Sequence, residues 1–548
     1  MACTASQPAK PASPTWCRSR WSGRVPTPKP WALVSLTDRT GLAELTETLS
    51  AAGFNLVATS GTAAAIRALG VRCREVEDLT GFPPILDGRV KTLHPKIFGG
   101  ILARGASADH TNDLKQHDIA RITVVAVTLY TFQAAVARGD IAADAVDHID
   151  IGGVALLRAA AKNYETATVL SSSAQYEEFA DALRRGGPTL HERQRWAACA
   201  MSLVADYDAA IAAYLRSLAG EQPLPDELTL RLPLQHRLRY GENPGSLAAF
   251  YHSALTPVTF PKQVSGKTLS YNNLLDVDSC LRLLAPVERP AGFGSDACAE
   301  AEVKAAIVKH TVPCGFAAAP TGCAALCAAL GADPISAFGG IVAVSAEIDD
   351  ESAELLKPRF LEVVAAPAFS PAALAVLRSK KNLRMLTFDP GLPARLCADA
   401  TVRSALGGIL LEQPDGAASP EAWTVVTERT PTPEQWRDLL FALRAVRQVK
   451  SNAAVVAKDE VTLGICGGQT NRVVAVELAC KRAGAAVLGA VLATDGFFPF
   501  ADGIEAALSA GIAAVVAPAG SIRDAEVIEA ARKGGIALVF TSRRYFLH

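Results

Sequence analysis

From Trp31 onward short apolar runs alternate with amphipathic segments, and this alternation constrains the fold more tightly than anything else in the chain. ALVSL (32–36) reads as a strand, 41–52 as a helix and FNLVAT (54–59) as a second strand. A helix from Ala63 follows, and RITVVAVTLY (121–130) reads as a central strand. Val154 to Lys162 reads as a helix entered through Gly152-Gly153, with TATVLS (166–171) as the next strand. Strand–helix alternation predicts an α/β fold with a doubly wound parallel sheet. Ligands of such a sheet gather at the carboxyl ends of its strands.

Residues 190–218 carry one long helical pattern, and GEQPLPDEL (220–228) has the composition of a linker. Beyond Leu230 the chain again mixes strands (303–308, 340–345, 453–457, 512–516, 536–541) with helices. A weak internal echo runs through it. A strand ending Val308-Lys309-His310 leads to ISAFGG (335–340), and one ending Val449-Lys450-Ser451-Asn452 leads to TDGFFPF (494–500). Two similar α/β halves would account for both.

A length of 548 residues exceeds one ordinary core. Half of the residues are hydrophobic and 20% are charged, which excludes a largely disordered chain. A net charge of −1 gives no basic field for nucleic acid or an acidic membrane. Anions must therefore be held by local Lys, Arg and backbone N–H groups. The 12 cysteines form no C-x-x-C pair, and Cys323 and Cys327 read as small buried residues of an alanine-rich helix. Reduced thiols in the cytoplasm account for this usage. Thr311 to Ala332 is uncharged but broken by Pro313, Gly315, Pro320 and Gly322, a poor membrane span. Residues 1–30 read as a disordered extension.

Two sets of reactive side chains stand out. In the first, Ser35, Thr37, Asp38, Arg39, Thr40 and Gly41 follow the first strand, and Thr59, Ser60, Gly61 and Thr62 follow the second. Hydroxyls and free helix-start N–H groups make phosphate seats; ordinary N-capping uses the same residues. Arg89, Lys91 and Thr92 lie in GRVKTLHP (88–95), Tyr130 closes the central strand, and DIGGVALLRAAAKN (150–163) runs from Asp150 and Ile151 to Lys162. If the strand ends converge, Lys91, Tyr130, Asp150 and Lys162 surround one pocket able to do acid–base work on a neutral amide.

These segments resemble the inosine monophosphate (IMP) cyclohydrolase domain of the bifunctional purine-biosynthesis family, which has a methylglyoxal-synthase-like fold. The resemblance implies closure of 5-formamidoimidazole-4-carboxamide ribotide (FAICAR) to IMP with loss of water. It also implies Lys162 as the proton carrier and Lys91 as the oxyanion stabiliser. Tyr130 and Asp150 would orient the reacting amides, with Thr128 and Ile151 among the substrate contacts.

In the second set, Lys309-His310 sit in VKHTVPCG (308–315), accompanied by RYGENP (239–244), SAFGG (336–340), KSN (450–452) and the terminal RRYFLH (543–548). A lysine beside a histidine favours a neutral imidazole able to act as a base. These segments resemble the transformylase part of the same family, a pair of cytidine-deaminase-like halves. The resemblance implies formyl transfer from 10-formyltetrahydrofolate to 5-aminoimidazole-4-carboxamide ribotide (AICAR). His310 would be the base and Lys309 would support the transition state, while Asn452 and His548 orient the carboxamide and relay protons. Arg239, Tyr240, Gly339, Glu362, Arg472, Phe497 and Arg544 would meet the nucleotide, and Val473, Asp502, Ser521 and Ile522 the folate. A homodimer is implied, and no metal, because Pro313-Cys314 does not continue as P-C-x-x-C. The implied domains are 31–175 (cyclohydrolase), a helical connector 176–229, and 230–548 (transformylase, halves at about 230–420 and 421–548). The family pattern is departed from at Thr128, Thr131, Gly245, Ser246, Val312, Cys466 and Ala501. A chain with only one activity, or a nucleotide-sensing module, are the alternatives.

Overall fold

The computed structural model describes residues 29–130, 132, 146–220, 224, 226–230, 232–252, 259–286, 303–414 and 422–548. The expected extension therefore lies almost wholly outside the described residues, as does Thr131. The chain divides into two compact units, Met1–Thr229 and Leu230–His548.

In the first unit β1 (Trp31–Leu36), β2 (Asn55–Ala58), β3 (Arg74–Glu75), β4 (Ile122–Thr128) and β5 (Thr168–Leu170) form one sheet in the order β3-β2-β1-β4-β5. Every pairing is parallel. Alternate residues of a strand face opposite sides, so both faces of β1 need cover. Leu33 packs with Ile97, Leu156 and Val204 on one side, and Ala32, Val34 and Leu36 pack with Leu45, Ile66 and Phe179 on the other. Helices thus lie on both faces, as expected of a doubly wound sheet.

The segment read as a connector does more than connect. Tyr176 and Phe179 close the second face, and the Leu190–Leu218 helix sends Trp196 into that face and Ala200, Val204 and Tyr207 into the first. By length and composition alone this helix could cross a membrane. Its inward stripe instead completes the core of this unit. Thr189 caps it reciprocally with Glu192, which satisfies backbone donors at its start.

The second unit opens with a small ribbon of β6 (Leu234–Arg237) and β7 (Ala249–Tyr251). The first half of its main sheet has β8 (Lys262–Ser265), β9 (Val303–Lys309), β10 (Val312–Ala319), β11 (Ile341–Val344), β12 (Val363–Ala366) and β13 (Arg384–Thr387). A separate hairpin, β14 (Thr401–Ala405) with β15 (Gly408–Glu412), follows. The second half has β16 (Trp423–Val425), β17 (Ala454–Lys458), β18 (Val461–Cys466), β19 (Val491–Thr494), β20 (Ala514–Pro518) and β21 (Ala537–Thr541). The sheet order is β16-β21-β20-β19-β17-β18-β10-β9-β11-β12-β13-β8.

Counted outward from the central β10 and β18, the two halves repeat strand for strand. Each has an antiparallel hairpin, then an antiparallel neighbour, two parallel steps and an antiparallel outer strand. The sequence echo nevertheless had the wrong register. Lys309 does end β9, but Val449–Asn452 precede β17 rather than ending a strand, and the segment 335–340 precedes β11 whereas 494–500 follows β19. Shared Val-Lys pairs were coincidence. The duplication shows instead at Gly315 and Gly464, equivalent positions on β10 and β18. A Cβ on either would lie 2.0 Å from a helical carbonyl oxygen, that of Ala329 or Ala479. Only glycine lets the following helix, Gly322–Ala332 or Arg472–Ala483, seat that closely.

Gly315→Ala and Gly464→Ala should therefore each destabilise the second unit by about 1–3 kcal/mol through overpacking. Urea unfolding of the two variants measures this; a neutral result at either position would contradict the close seating of that helix.

Candidate active sites

At the carboxyl ends of β1, β2 and β4 lies a cavity of about 790 Å³. It is lined by Ser35, Thr37, Arg39, Thr59, Ser60, Gly61, Thr62, Arg89, Lys91, Thr92, Thr128, Tyr130, Asp150 and Ile151, all expected from the sequence. The helix after β2 starts at Ser60, earlier than read, and Thr59 makes no side-chain cap hydrogen bond. Thr59 therefore does not cap this helix with its side chain, and Ser60, Gly61 and Thr62 of its first turn line the cavity. Thr62 is committed elsewhere: its hydroxyl accepts from Leu36 N at 3.1 Å and donates to Leu36 O at 3.2 Å, stitching the loop to β1.

Gly152 and Gly153 have a steric reason. A Cβ on Gly152 would come within 2.8 Å of Thr92 Oγ1, and one on Gly153 within 2.4 Å of Asp150 Oδ2. The glycines let both polar groups press against the helix start, where Gly153 N donates to Asp150 Oδ1 at 2.7 Å. Burial raises the Asp150 carboxyl above its ordinary value, opposed by the Gly153 amide and the charge of Lys91. Tyr207 locks the approach, its hydroxyl accepting from Asp150 N at 2.7 Å and donating to His148 O at 3.1 Å. Thr128, a departure from the family pattern, accepts from Thr37 N (2.9 Å) and Asp38 N (3.1 Å), so it still fixes the loop after β1.

Other expected residues do not reach this cavity. Asp38 and Thr40 bond each other (Thr40 N and Oγ1 to Asp38 Oδ1, 2.9 and 2.7 Å), and with Gly41 they shape the turn into the first helix without lining the cavity. Lys162 is exposed at the far end of the Gly152–Lys162 helix and is absent from the lining. At a rise of about 1.5 Å per residue it stands roughly 15 Å from the glycine end. A straight helix cannot bring both ends to one pocket, so its expected role rests on resemblance alone. The reading missed Asp147, which pairs with Arg89, and His148, whose ring lies 6.3 Å from that of Tyr130. They stand three and two residues before Asp150, and position close to a motif was the only signal for them.

In the second unit a cavity of about 410 Å³ is lined by Lys309, His310, Val312, Pro313 and Cys314 from the first half, and by Thr462, Leu463, Gly464, Ile465 and Arg482 from the second. Lys309 Nζ donates to Phe338 O at 2.9 Å, tying the lysine to the SAFGG loop. His310 and Thr311 form the β9–β10 turn with φ of 58° and 61°. Burial pushes the Cys314 thiol up to about 12, leaving it protonated near neutrality. Among the described residues no group of three or more His, Cys, Asp or Glu could hold a metal ion.

Asn452 and His548 do not line this cavity. Asn452 N and Nδ2 both donate to Gln469 O at 2.9 Å, and Ser451 N donates to Leu547 O at 2.9 Å, which gathers the KSN segment with the chain terminus. The ring of Phe546 lies between Arg544, whose guanidinium is 5.0 Å away, and His548 at 6.0 Å. Because β9 runs antiparallel to β17 across β10 and β18, Lys309 and Asn452 stand at the same sheet edge. They are three strand spacings apart, roughly 14 Å.

Two expected nucleotide contacts have other partners. The Arg472 side chain is 5% exposed and paired with Asp495, itself fully buried, and it donates to Ala453 O at 2.8 Å, which ties it to the KSN loop. Asp495 also takes Ser451 Oγ and Ala453 N and, through its carbonyl, Tyr545 N. Sequence reading missed it, since TDG reads as an ordinary turn. Glu362 is bound by the nearly buried Arg384 at 2.6 Å. Arg239 lies over the Tyr240 ring (5.4 Å), and Gly339 N donates to Phe360 O. Of the expected folate contacts, Ile522 is fully exposed, Val473 N is held by Asn471, Asp502 accepts from Gly503 N, and Ser521 accepts from Arg523 N. Phe497 is partly exposed.

The chain matches the family model "AICARFT/IMPCHase bienzyme" over residues 160–482 and the model "MGS-like domain" over 41–155. It is 44% identical over 530 residues to a protein of Desulfitobacterium hafniense (strain DSM 10664 / DCB-2), covering 94% of this chain and 99% of that one. It is 46% identical over 522 residues to a protein of Chloroflexus aurantiacus, covering 94% and 98%, and 44% identical over 525 residues to one of Synechococcus sp. (strain CC9605), covering 95% and 100%. Each relative is named "Bifunctional purine biosynthesis protein PurH".

The raised Asp150 carboxyl makes a prediction about stability. The folded state holds that proton more tightly than the unfolded chain, whose value is near 3.8. Stability from this group is thus complete below that value and is lost as pH rises through the folded-state value. Asp150→Asn should therefore increase hydrogen-exchange protection of β4 in the full-length chain at pH 7. The gain over wild type should shrink when stability is compared at progressively more acid pH; a pH-independent difference would contradict the burial effect.

Proposed function

The chain belongs to the AICARFT/IMPCHase bienzyme family, and on that premise we propose how its two units share two consecutive steps of purine biosynthesis. Both family activities, AICAR formyltransferase and IMP cyclohydrolase, belong to it. The observation that carries the division is the clustering of Lys91, Tyr130 and Asp150 in one cavity and Lys309 and His310 in another.

In the first unit the carboxamide nitrogen of FAICAR attacks the formyl carbon on the neighbouring ring atom, and the formyl oxygen finally leaves as water. Intramolecular neighbours of this kind can gain roughly 7–11 kcal/mol from orientation alone. The cavity then has to hold the rotamer and support charge. Lys91 faces the developing oxyanion, Asp150 and Tyr130 orient the two amides, and the Thr59–Thr62 loop seats the phosphate through helix-start N–H groups. Arg89 is already paired with Asp147 at the surface, a weak interaction that a phosphate can displace.

In the second unit the 5-amino nitrogen of AICAR attacks the formyl carbon of 10-formyltetrahydrofolate. The carbon–nitrogen bond to the folate breaks, and a proton travels from the amine to the departing folate nitrogen. The aminoimidazole lone pair is delocalised, so the amine needs a base, and His310 is that base. Lys309 supports the tetrahedral oxyanion, with Asn452 and His548 acting on the carboxamide. The separation of the Lys309–His310 and Asn452–His548 groups within one chain favours a homodimer whose subunits share sites. The pathway and the reduced cysteines fit a cytoplasmic enzyme.

Separate assays of the two steps test the division. Lys91→Ala should lower ring closure by about 10²–10³ and leave formyl transfer unchanged, as loss of an oxyanion group does. His310→Ala should lower formyl transfer by about 10²–10⁴ and spare ring closure, as loss of a general base does. A variant that damages both steps equally would overturn the assignment.

A further inference from the structure

The β9–β10 turn places two residues with side chains, His310 and Thr311, in the left-handed region at φ of 58° and 61°. Such a turn ordinarily calls for glycine or asparagine, and a β-branched threonine there is an outlier. It persists only where the surroundings over-determine it. Here the grip comes from Asp276 on the Tyr271–Leu284 helix: Thr311 N donates to its Oδ1 at 2.6 Å and His310 N to its Oδ2 at 3.3 Å. Thr311 Oγ1 adds a bond to His310 O at 2.7 Å.

The duplicated half contains the same device without the chemistry. The β17–β18 turn holds Asp459 and Glu460 at φ of 53° and 54°, and Glu460 N donates at 2.8 Å to Asp438 Oδ1 on the Pro433–Val446 helix. Asp276 stands six residues after the N-cap Ser270, and Asp438 six after the N-cap Thr432. Both carboxyls are raised by burial and lowered by the amides they hold. Because β10 and β18 are antiparallel, the two turns lie at opposite edges of the sheet, and only the first lines the cavity.

We propose that Asp276 is a positioning residue for formyl transfer: its carboxylate clamps the two turn amides and so fixes the backbone from which the His310 imidazole reaches the reacting amine. This rests on His310 being the base. Both carboxylate oxygens are needed, since each takes one amide. An asparagine offers one oxygen and turns its NH₂ group toward the other N–H.

The test compares Asp276→Asn with Asp438→Asn in the full-length chain, reading thermal midpoint, kcat and KM for AICAR in formyl transfer. Both substitutions should lower the midpoint. Asp276→Asn should also lower kcat by about 10- to 100-fold, the scale of a 1 Å misplacement. KM for AICAR should stay within about twofold, and Asp438→Asn should change neither constant by more than about twofold. A kcat for Asp276→Asn within about twofold of wild type would overturn the proposal, as would an equal loss in Asp438→Asn. Should Asp276→Asn fail to accumulate folded, Asp276→Glu against Asp438→Glu gives the same comparison with the charge retained. His310→Ala separates the two levels: if it keeps formyl transfer, the base assignment fails whatever Asp276 does. If it abolishes transfer while Asp276→Asn is silent, only the clamp fails.

Discussion

Twelve strands become one sheet at a single narrow join, β10 against β18. Ladder pairing there is limited to Ala317 opposite Val461, with Ala318 N donating to Glu460 O at 3.0 Å. The next rung is supplied by a side chain. The Thr462 hydroxyl accepts from Phe316 N at 2.9 Å and donates to Phe316 O at 3.2 Å, doing the work of a peptide group in a site 1% exposed. Phe316 stacks on Phe441 at 4.7 Å directly beside it. Unpaired polar groups in such a place cost about 1–3 kcal/mol each, so this hydroxyl is held firmly to its role. The join sets which ends of the two halves share an edge, and hence that Lys309–His310 and Lys450–Asn452 face the same side.

The same join explains why one half of a duplicated fold could specialise. Antiparallel pairing puts equivalent turns at opposite edges. Left-handed residues, helix carboxylate and capping geometry are common to both, yet one turn carries His310 and the other Asp459-Glu460. The clamp is therefore not tied to the chemistry: it holds a tight hairpin in both halves, and in only one of them does that hairpin carry His310. In the first unit aim comes from steric absence instead. Gly152 and Gly153 remove the atoms that would keep Thr92 and the Asp150 carboxylate from the helix start.

Much of the first unit was legible because its signals are local. Period-two apolar runs and the glycine pair at 152–153 report on backbone within a few residues. Lys162 was misplaced within the same motif because sequence adjacency hides the length of a helix, and twelve residues past Asp150 is about three turns away. The halves of the second unit were expected, but through a false register. Lys-bearing strand ends looked alike, whereas the true repeat lies in sparse positions: a capping hydroxyl, a partner three residues on and an aspartate at six, then a glycine inside the second strand of each hairpin. Sparse signals of this kind become readable only when the elements that carry them are known.

Asp495 shows what no local signal could reveal. It sits in a turn after β19, yet its carboxylate meets Ser451, Ala453 and Arg472, and its carbonyl takes Tyr545 N. Three segments far apart in the chain converge on one fully buried residue. A buried pair with Arg472 is worth little by itself, because both charges lose water on folding. Removing one partner is costly, however, since the other charge then stands uncompensated. The pair thus acts less as a source of stability than as a condition on arrangement: the KSN loop, the start of the Arg472–Ala483 helix and the chain terminus must all be in place for the charges to be satisfied. That condition couples Asn452 to His548, two residues expected to act on the same carboxamide.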